Sequence, residues 1–212
     1  GIIIIWLINR KVNVRSQQKG AYLNISLSIL AVVAVLGIIL YYIIINGSQA
    51  LSWEFLTEAQ ARLGREGGIM PAIIGSLWLV AGALLIAVPV GIGAGIYLSE
   101  YAKESSLTKI IRSGIDTLNG TPSIVFGLFA YAFLVVYLGL GVSLQTGMII
   151  LGLLVLPLII RTTEEAIKAV PQNIREGSLA LGTTKWETIK KVVLPPARPG
   201  IITGIIIAIG RA

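Results

Sequence analysis

The chain has 212 residues, of which 55% are apolar and only 13% charged, and 17 Lys+Arg against 10 Asp+Glu leave a net charge of +7. Average soluble domains carry about 25% charged residues, so an ordinary soluble globule is excluded at the outset. There is no Cys and no His, which removes thiol nucleophiles, disulfides, imidazole acid–base chemistry and Cys/His zinc sites.

The charges are clumped. Uncharged runs cover Gly20–Trp53, Gly67–Ser99, Thr117–Ile160 and Pro199–Gly210, together more than half of the chain. A helix needs about 20 apolar residues to cross the hydrocarbon of a bilayer. Taken in order, Leu23–Ile45 supplies a first predicted span and Pro71–Leu98 a second, kinked at Pro89. The longest run divides at the turn signal Gly139-Leu140-Gly141-Val142-Ser143, which predicts spans Pro122–Leu140 and Leu144–Ile160. Pro199–Ala212 opens a fifth. Those 14 residues reach about 21 Å at 1.5 Å per residue, so the chain is expected to be a fragment or to lack its last crossing. The expected fold class is an all-α, polytopic transmembrane bundle. An N-terminal segment covers 1–22 and the membrane-spanning region 23–212. Gly1–Ile8 is apolar but too short to cross, and reads as the end of a truncated helix.

Orientation follows from Lys and Arg. Alternate sides carry Arg10, Lys11, Arg15 and Lys19; then Lys103, Lys109 and Arg112; then Arg161, Lys168, Arg175, Lys185, Lys190, Lys191 and Arg198. The opposite sides carry only Arg62 and Arg65. The N-terminus, the second loop and the fourth loop (161–198) are therefore expected in the cytoplasm. The basic excess is the bias of a membrane protein rather than a nucleic-acid footprint. Gly91-x-x-x-Gly95 and Gly200-x-x-x-Gly204 permit close helix approach.

The fourth loop reads as a helix–turn–helix. Pro171 suits a first helical turn, and Gly182 suits a left-handed cap after Leu181. Thr184 followed by Glu187 predicts a capping box. The second helix carries Trp186, Ile189 and Val193 on one side and is expected to end at Pro195-Pro196. In the first helix Ile174, Gly177, Ser178 and Leu181 fall on one face at i, i+3, i+4 and i+7. That face fits either the groove of another protein or the chain's own bundle.

Glu176-Gly177-Ser178, three residues, Gly182, nine residues, Val192, one residue and Leu194-Pro195 resembles the EAA loop of ABC importer permeases of the binding-protein-dependent, MetI-like family. The departures are Gly177 and Ser178 for two Ala, and Val192 for Ile. Leu51-Ser52-Trp53-Glu54-Phe55-Leu56, Gly95-Ile96-Tyr97-Leu98-Ser99-Glu100-Tyr101, Gly120-Thr121-Pro122-Ser123-Ile124-Val125 and Arg161-Thr162-Thr163-Glu164-Glu165-Ala166 are similar to the phosphate-specific branch of that family. The resemblance implies a transport subunit in the cytoplasmic membrane. Its partners would be two ATPase subunits, a second permease chain and a phosphate-binding protein, with phosphate as the solute. It also implies that Ile174, Glu176, Gly177, Ser178, Leu181 and Gly182 couple to the ATPase.

Arg211 lies deep in the fifth predicted span, where a central arginine costs about 3 kcal/mol on insertion scales. It must face protein, water or an anion, and a guanidinium fork matches phosphate oxygens. Arg211 is therefore a candidate for the substrate path, the alternative being a structural pairing. Arg161, at the cytoplasmic end of the fourth predicted span, is a second candidate, with Glu164 and Glu165 as possible partners. Asn119–Ser123 reads as a helix start capped by Thr121, or as an anion-facing N-terminus. No G-x-x-x-x-G-K-[ST] occurs, so no cofactor or nucleotide site is expected in the chain and ATP hydrolysis is expected elsewhere. Two other readings remain: a membrane-anchored nucleic-acid-binding regulator, against which the loop offers few base-reading side chains, and an intramembrane enzyme, for which the spans offer no carboxylate pair.

Overall fold

In the computed structural model, which describes residues 14–61 and 66–212, the backbone is almost wholly helical and divides into two compact units at Met70. The predicted cytoplasmic placements of 1–13, including Gly1–Ile8, Arg10 and Lys11, and the loop charges Arg62 and Arg65 lie outside the described residues.

In the first unit, α1 (Val14–Ser48) contains the first predicted span and continues it by two turns on the N-terminal side. A short helix α2 (Trp53–Thr57) follows, capped by Ser52, whose side chain accepts from the Phe55 N–H at 3.0 Å. Two-residue strands β1 (Gln60–Ala61) and β2 (Glu66–Gly67) pair antiparallel, Gln60 opposite Gly67.

The second unit begins with α3 (Met70–Ile96), which contains Pro89 and widens into a π-helical turn at Tyr97–Tyr101. Then come α4 (Ser106–Gly120), α5 (Ser123–Ala130, continued as a π segment to Tyr137) and α6 (Leu144–Lys168). The helix–turn–helix is α7 (Gln172–Ala180) and α8 (Lys185–Thr188). A π turn, Ile189–Val193, leads from α8 into α9 (Leu194–Arg211).

Helix α6 is the centre of this unit. Val155 and Ile159 pack with Ala87 of α3 and Ala208 of α9 in one layer. Nearer the loop, Ile167 and Val170 pack with Val193, Ala197 and Ile201. The small-residue pairs let the neighbours approach α6. A Cβ on Gly91 would stand 2.6 Å from Ile159 Cγ2, and one on Gly95 2.7 Å from Thr163 Cβ. A Cβ on Gly200 would stand 2.7 Å from Ala166 Cβ, and one on Gly204 would collide with Thr162 Oγ1. The two Gly-x-x-x-Gly stripes therefore grip opposite neighbours onto the same helix.

Among the described residues four helices are long and apolar enough to cross a membrane: Gln18–Ser48, Met70–Tyr101, Leu144–Lys168 and Lys185–Arg211. Four expectations need correction. The third predicted span, Pro122–Leu140, is a 15-residue helix ending at Tyr137 and bent by 102° from α4. Helix α4 occupies most of the expected second loop, where Lys109, Arg112 and Asp116 interrupt the apolar residues and hide the helix from a hydropathy reading. The fourth predicted span does not end at Ile160 but runs two turns further, to Lys168. The helix expected to stop at Pro195-Pro196 instead passes into α9. The π turn takes Leu194 N–H back to Ile189 O, and the prolines then occupy the first positions of a new α segment, where a missing N–H breaks no helical bond.

Candidate coupling loop and membrane arginines

Helix α7 starts from Pro171, which stands at the N-cap with φ −58°, one position before the predicted place. It ends at Leu181, and Gly182 takes the left-handed conformation at φ +84°. Thr184 and Glu187 form the reciprocal capping box: Glu187 N–H donates to Thr184 Oγ1 and Thr184 N–H donates to Glu187 Oε2.

The face set out for α7 is divided by the structure. Ile174, Glu176, Gly177, Leu181 and Gly182 are exposed, Leu181 at 87%. Ser178 is turned inward. Its hydroxyl lies 2.8 Å from Thr183 Oγ1 and 3.1 Å from Thr188 Oγ1, and these two lie 2.9 Å apart. The small residue at 178 thus docks α7 on α8, and does not share the exposed face with Ile174 and Leu181. The second helix is corrected likewise: Ile189 and Val193 are fully buried, whereas Trp186 is exposed.

Residues that sequence reasoning passed over tie this loop to the bundle. Arg175 donates to Ile167 O at 2.6 Å, Val170 O at 2.7 Å and Gln172 Oε1 at 3.3 Å, and its Nε donates to Glu100 Oε1 at 3.2 Å. The Arg175 and Glu100 side chains are 12% and 11% exposed. They border a polar cavity of about 370 Å³ with Ser99, Lys168 and Gln172. One position along, Lys185 Nζ lies 4.7 Å above the Tyr101 ring, a cation–π contact of about 0.5–1 kcal/mol at a partly exposed site. The available signal was the adjacent pair Arg175-Glu176: one charge points in, the next points out.

A second charge cluster lies on α6. Glu164, 2% exposed, has Lys168 Nζ at 2.7 Å, Arg112 Nε at 2.9 Å and Arg161 NH1 at 3.5 Å. The first two contacts are ionic and not aligned as hydrogen bonds to Glu164 Oε1. Arg112 also donates to Glu104 Oε1 at 2.7 Å and to Leu98 O at 2.9 Å. That hydrogen bond, reinforced by the guanidinium charge, holds the Glu104 carboxyl below the usual carboxylate range. Arg161 pairs with Glu165 at 3.1 Å, Glu164 at 3.5 Å and Asp116 at 3.5 Å. Both expected partners are present, and α4 supplies a third.

Among the described residues Arg211 pairs with no carboxylate; it donates from NH1 to Asn119 Oδ1 at 2.7 Å and from NH2 to Asn119 O at 3.1 Å. Asn119 lies in the last turn of α4. The expected cap Thr121 is instead the C-cap of α4, its hydroxyl donating to Thr117 O, and Pro122 takes the N-cap of α5 without a side-chain bond. Beside this corner is an apolar cavity of about 300 Å³, lined by residues such as Leu118, Phe126, Phe133 and Leu153. Among the described residues no group of three or more His, Cys, Asp or Glu is placed to hold a metal.

An all-α bundle with a helix–turn–helix rooted in two long apolar helices defines the class. The model of the family described as binding-protein-dependent transport system inner membrane component matches residues 87–212, and the chain belongs to that family. The resemblance read from the loop motif and the fold class expected from it are both borne out. Over 170 residues it is 41% identical to the probable ABC transporter permease protein YqgI of Bacillus subtilis, covering 80% of this chain and 58% of that protein. It is 40% identical to the phosphate transport system permease protein PstA of Pasteurella multocida (82% and 61% covered) and 41% identical to that of Yersinia pestis (82% and 59%). The chain thus spans about three fifths of the length of these relatives. An inward-facing structure of the MetNI methionine ABC transporter has the same fold, with a TM-score of 0.55, 23% identity, and 67% of this chain and 66% of that one covered.

Proposed function

We propose that the chain is a membrane-spanning permease subunit of an ATP-driven importer of inorganic phosphate. The observation that carries this reading is the position of α7. It holds Ile174, Glu176, Gly177 and Leu181 exposed, between two helices, α6 and α9, long and apolar enough to reach the membrane interior. A push on that face is delivered to both. Helix α7 then docks in an ATPase subunit, two of which serve a pair of permease chains. ATP binding draws the levers together and switches the path between the chains from outward to inward facing. A separate binding protein delivers the solute. The N-terminus, the second loop and the α7–α8 loop face the cytoplasm, as the Lys/Arg asymmetry requires.

Phosphate is favoured by the names of the relatives from Pasteurella and Yersinia and by Arg211, which among the described residues hydrogen-bonds to the neutral side chain and carbonyl of Asn119. Its positive charge is left for an anion. Arg161, already surrounded by three carboxylates, is the weaker path residue. The more general name of the Bacillus relative favours a second reading, in which the solute is another oxyanion such as sulfate or molybdate. The test is ATPase activity and uptake by the reconstituted complex with phosphate, sulfate and molybdate. Stimulation by phosphate alone supports the reading. Stimulation by another oxyanion alone replaces it.

A further inference from the structure

The lever formed by α7 and α8 is joined covalently to α6 and to α9, but not to α3. Two contacts nonetheless join it to α3, and both end on the same five residues. From α7, Arg175 Nε reaches Glu100 Oε1 at 3.2 Å; from α8, Lys185 Nζ sits over the Tyr101 ring at 4.7 Å. Glu100 and Tyr101 are the last two residues of the π-helical turn Tyr97–Tyr101, which Ala102 closes by donating to Tyr97 O at 2.9 Å.

The chemistry of each contact suits transmission. Arg175 is fixed to its own side by bonds to Ile167 O and Val170 O, so its guanidinium cannot follow Glu100 away from α6. Both charges are nearly buried, and parting them leaves each without its counter-charge in a poor solvent. The ammonium–ring contact adds a second point of attachment, so the turn resists rotation as well as withdrawal. π turns are rare and recur at functional sites.

We propose that Tyr97–Tyr101 receives the stroke of the lever directly, with Glu100 and Tyr101 as positioning residues that make α3 move with α7. This deepens the reading given under Proposed function and rests on it. In a complex without these contacts, ATP hydrolysis continues to move α6 and α9 while α3 lags, so solute moved per ATP falls.

The test uses the full-length permease with its partner permease, ATPase and binding protein in proteoliposomes, with inorganic phosphate as solute. Glu100→Gln with Tyr101→Leu is expected to lower phosphate imported per ATP hydrolysed by about two- to thirtyfold, the range of coupling lost along connected residues. Tyr101→Phe, which keeps the ring, is expected to match wild type. Unchanged stoichiometry in the double variant would overturn the proposal. Residues 1–212 contain no cysteine, so in a complex otherwise freed of cysteine spin labels at Lys103→Cys and Leu179→Cys report the distance from the turn to α7 with both contacts intact. That distance is expected to be the same without nucleotide and with ATP trapped. A lengthening on ATP binding would sink the proposal, even if the double variant failed to assemble. A wild-type complex that imports no phosphate is a different result, and overturns the reading on which this one rests.

Discussion

Arg211, at the end of α9, holds Asn119, in the last turn of α4, by both the side-chain oxygen and the main-chain carbonyl, at 2.7 and 3.1 Å. The contact joins residues 92 positions apart and pins the corner where α4 turns by 102° into α5. It leaves the guanidinium charge itself uncompensated by these two acceptors. Arg211→Gln retains a side chain that can donate to Asn119 but removes the charge. It is expected to reduce phosphate uptake to background while the complex still assembles, as judged by co-purification of the ATPase. Normal uptake would exclude Arg211 from the path.

The packing of α9 on α6 sets a steric test. Gly204→Ala drives a Cβ into Thr162, whereas a Cβ at Gly114, in α4, meets nothing. Overpacking costs about 1–3 kcal/mol, so Gly204→Ala should lower the thermal midpoint of the detergent-purified protein. Gly114→Ala should be neutral or stabilise by up to about 1 kcal/mol, because it restricts the unfolded chain.

The two adjacent glutamates of α6 differ sharply in environment. Glu164 is 2% exposed among Arg112, Lys168 and Arg161; Glu165 is 62% exposed and, among the described residues, pairs with Arg161. Glu164→Ala takes a counter-charge from Lys168, Arg112 and Arg161, of which the two arginines keep other carboxylates, and should destabilise by about 1–3 kcal/mol. Glu165→Ala should cost about 0–1 kcal/mol. Equal losses for the two, measured by denaturation in mild detergent, would contradict the placement of Glu164.

Gly182 at φ +84° is expected to be costly to replace. A side chain in the left-handed region costs about 1–2 kcal/mol. Gly182→Asp should therefore tilt α7 against α8, and in pull-downs the ATPase subunit should no longer co-purify.

Acid should weaken the α4 end of the bundle. Hydrogen bonding and attraction from Arg112 hold the Glu104 carboxyl below its ordinary range. A carboxylate lowered on folding contributes stability above its unfolded pKa, and that contribution is lost as pH falls through the folded one. Glu104→Gln should therefore flatten the acid limb of the stability profile. Because Glu104 is exposed, the effect should shrink as salt is added.

Much of this was legible from residue order alone, and where it failed the failures share a cause. The first, second and fourth spans were found because a bilayer demands long runs without charge. The capping box at Thr184 and the left-handed residue at Gly182 were found because caps are local chemistry. Helix α4 was missed because Arg112 and Asp116 looked like loop charges. They are satisfied by Glu104, Glu164 and Arg161, partners that only the fold brings near. The C-terminal turns of α6 were cut off for the same reason.

Residue order also settles the class of molecule and the site of the helix–turn–helix, since hydropathy and helix capping act over a few residues. It cannot say which of two neighbouring polar side chains turns inward. That Ser178 faces Thr188 rather than a partner, that Arg175 reaches Glu100 across 75 positions, and that a π turn carries the chain through Pro195 and Pro196 all depend on how α7, α8 and α3 meet. Long-range contacts of this kind are set by packing geometry, which no local pattern encodes.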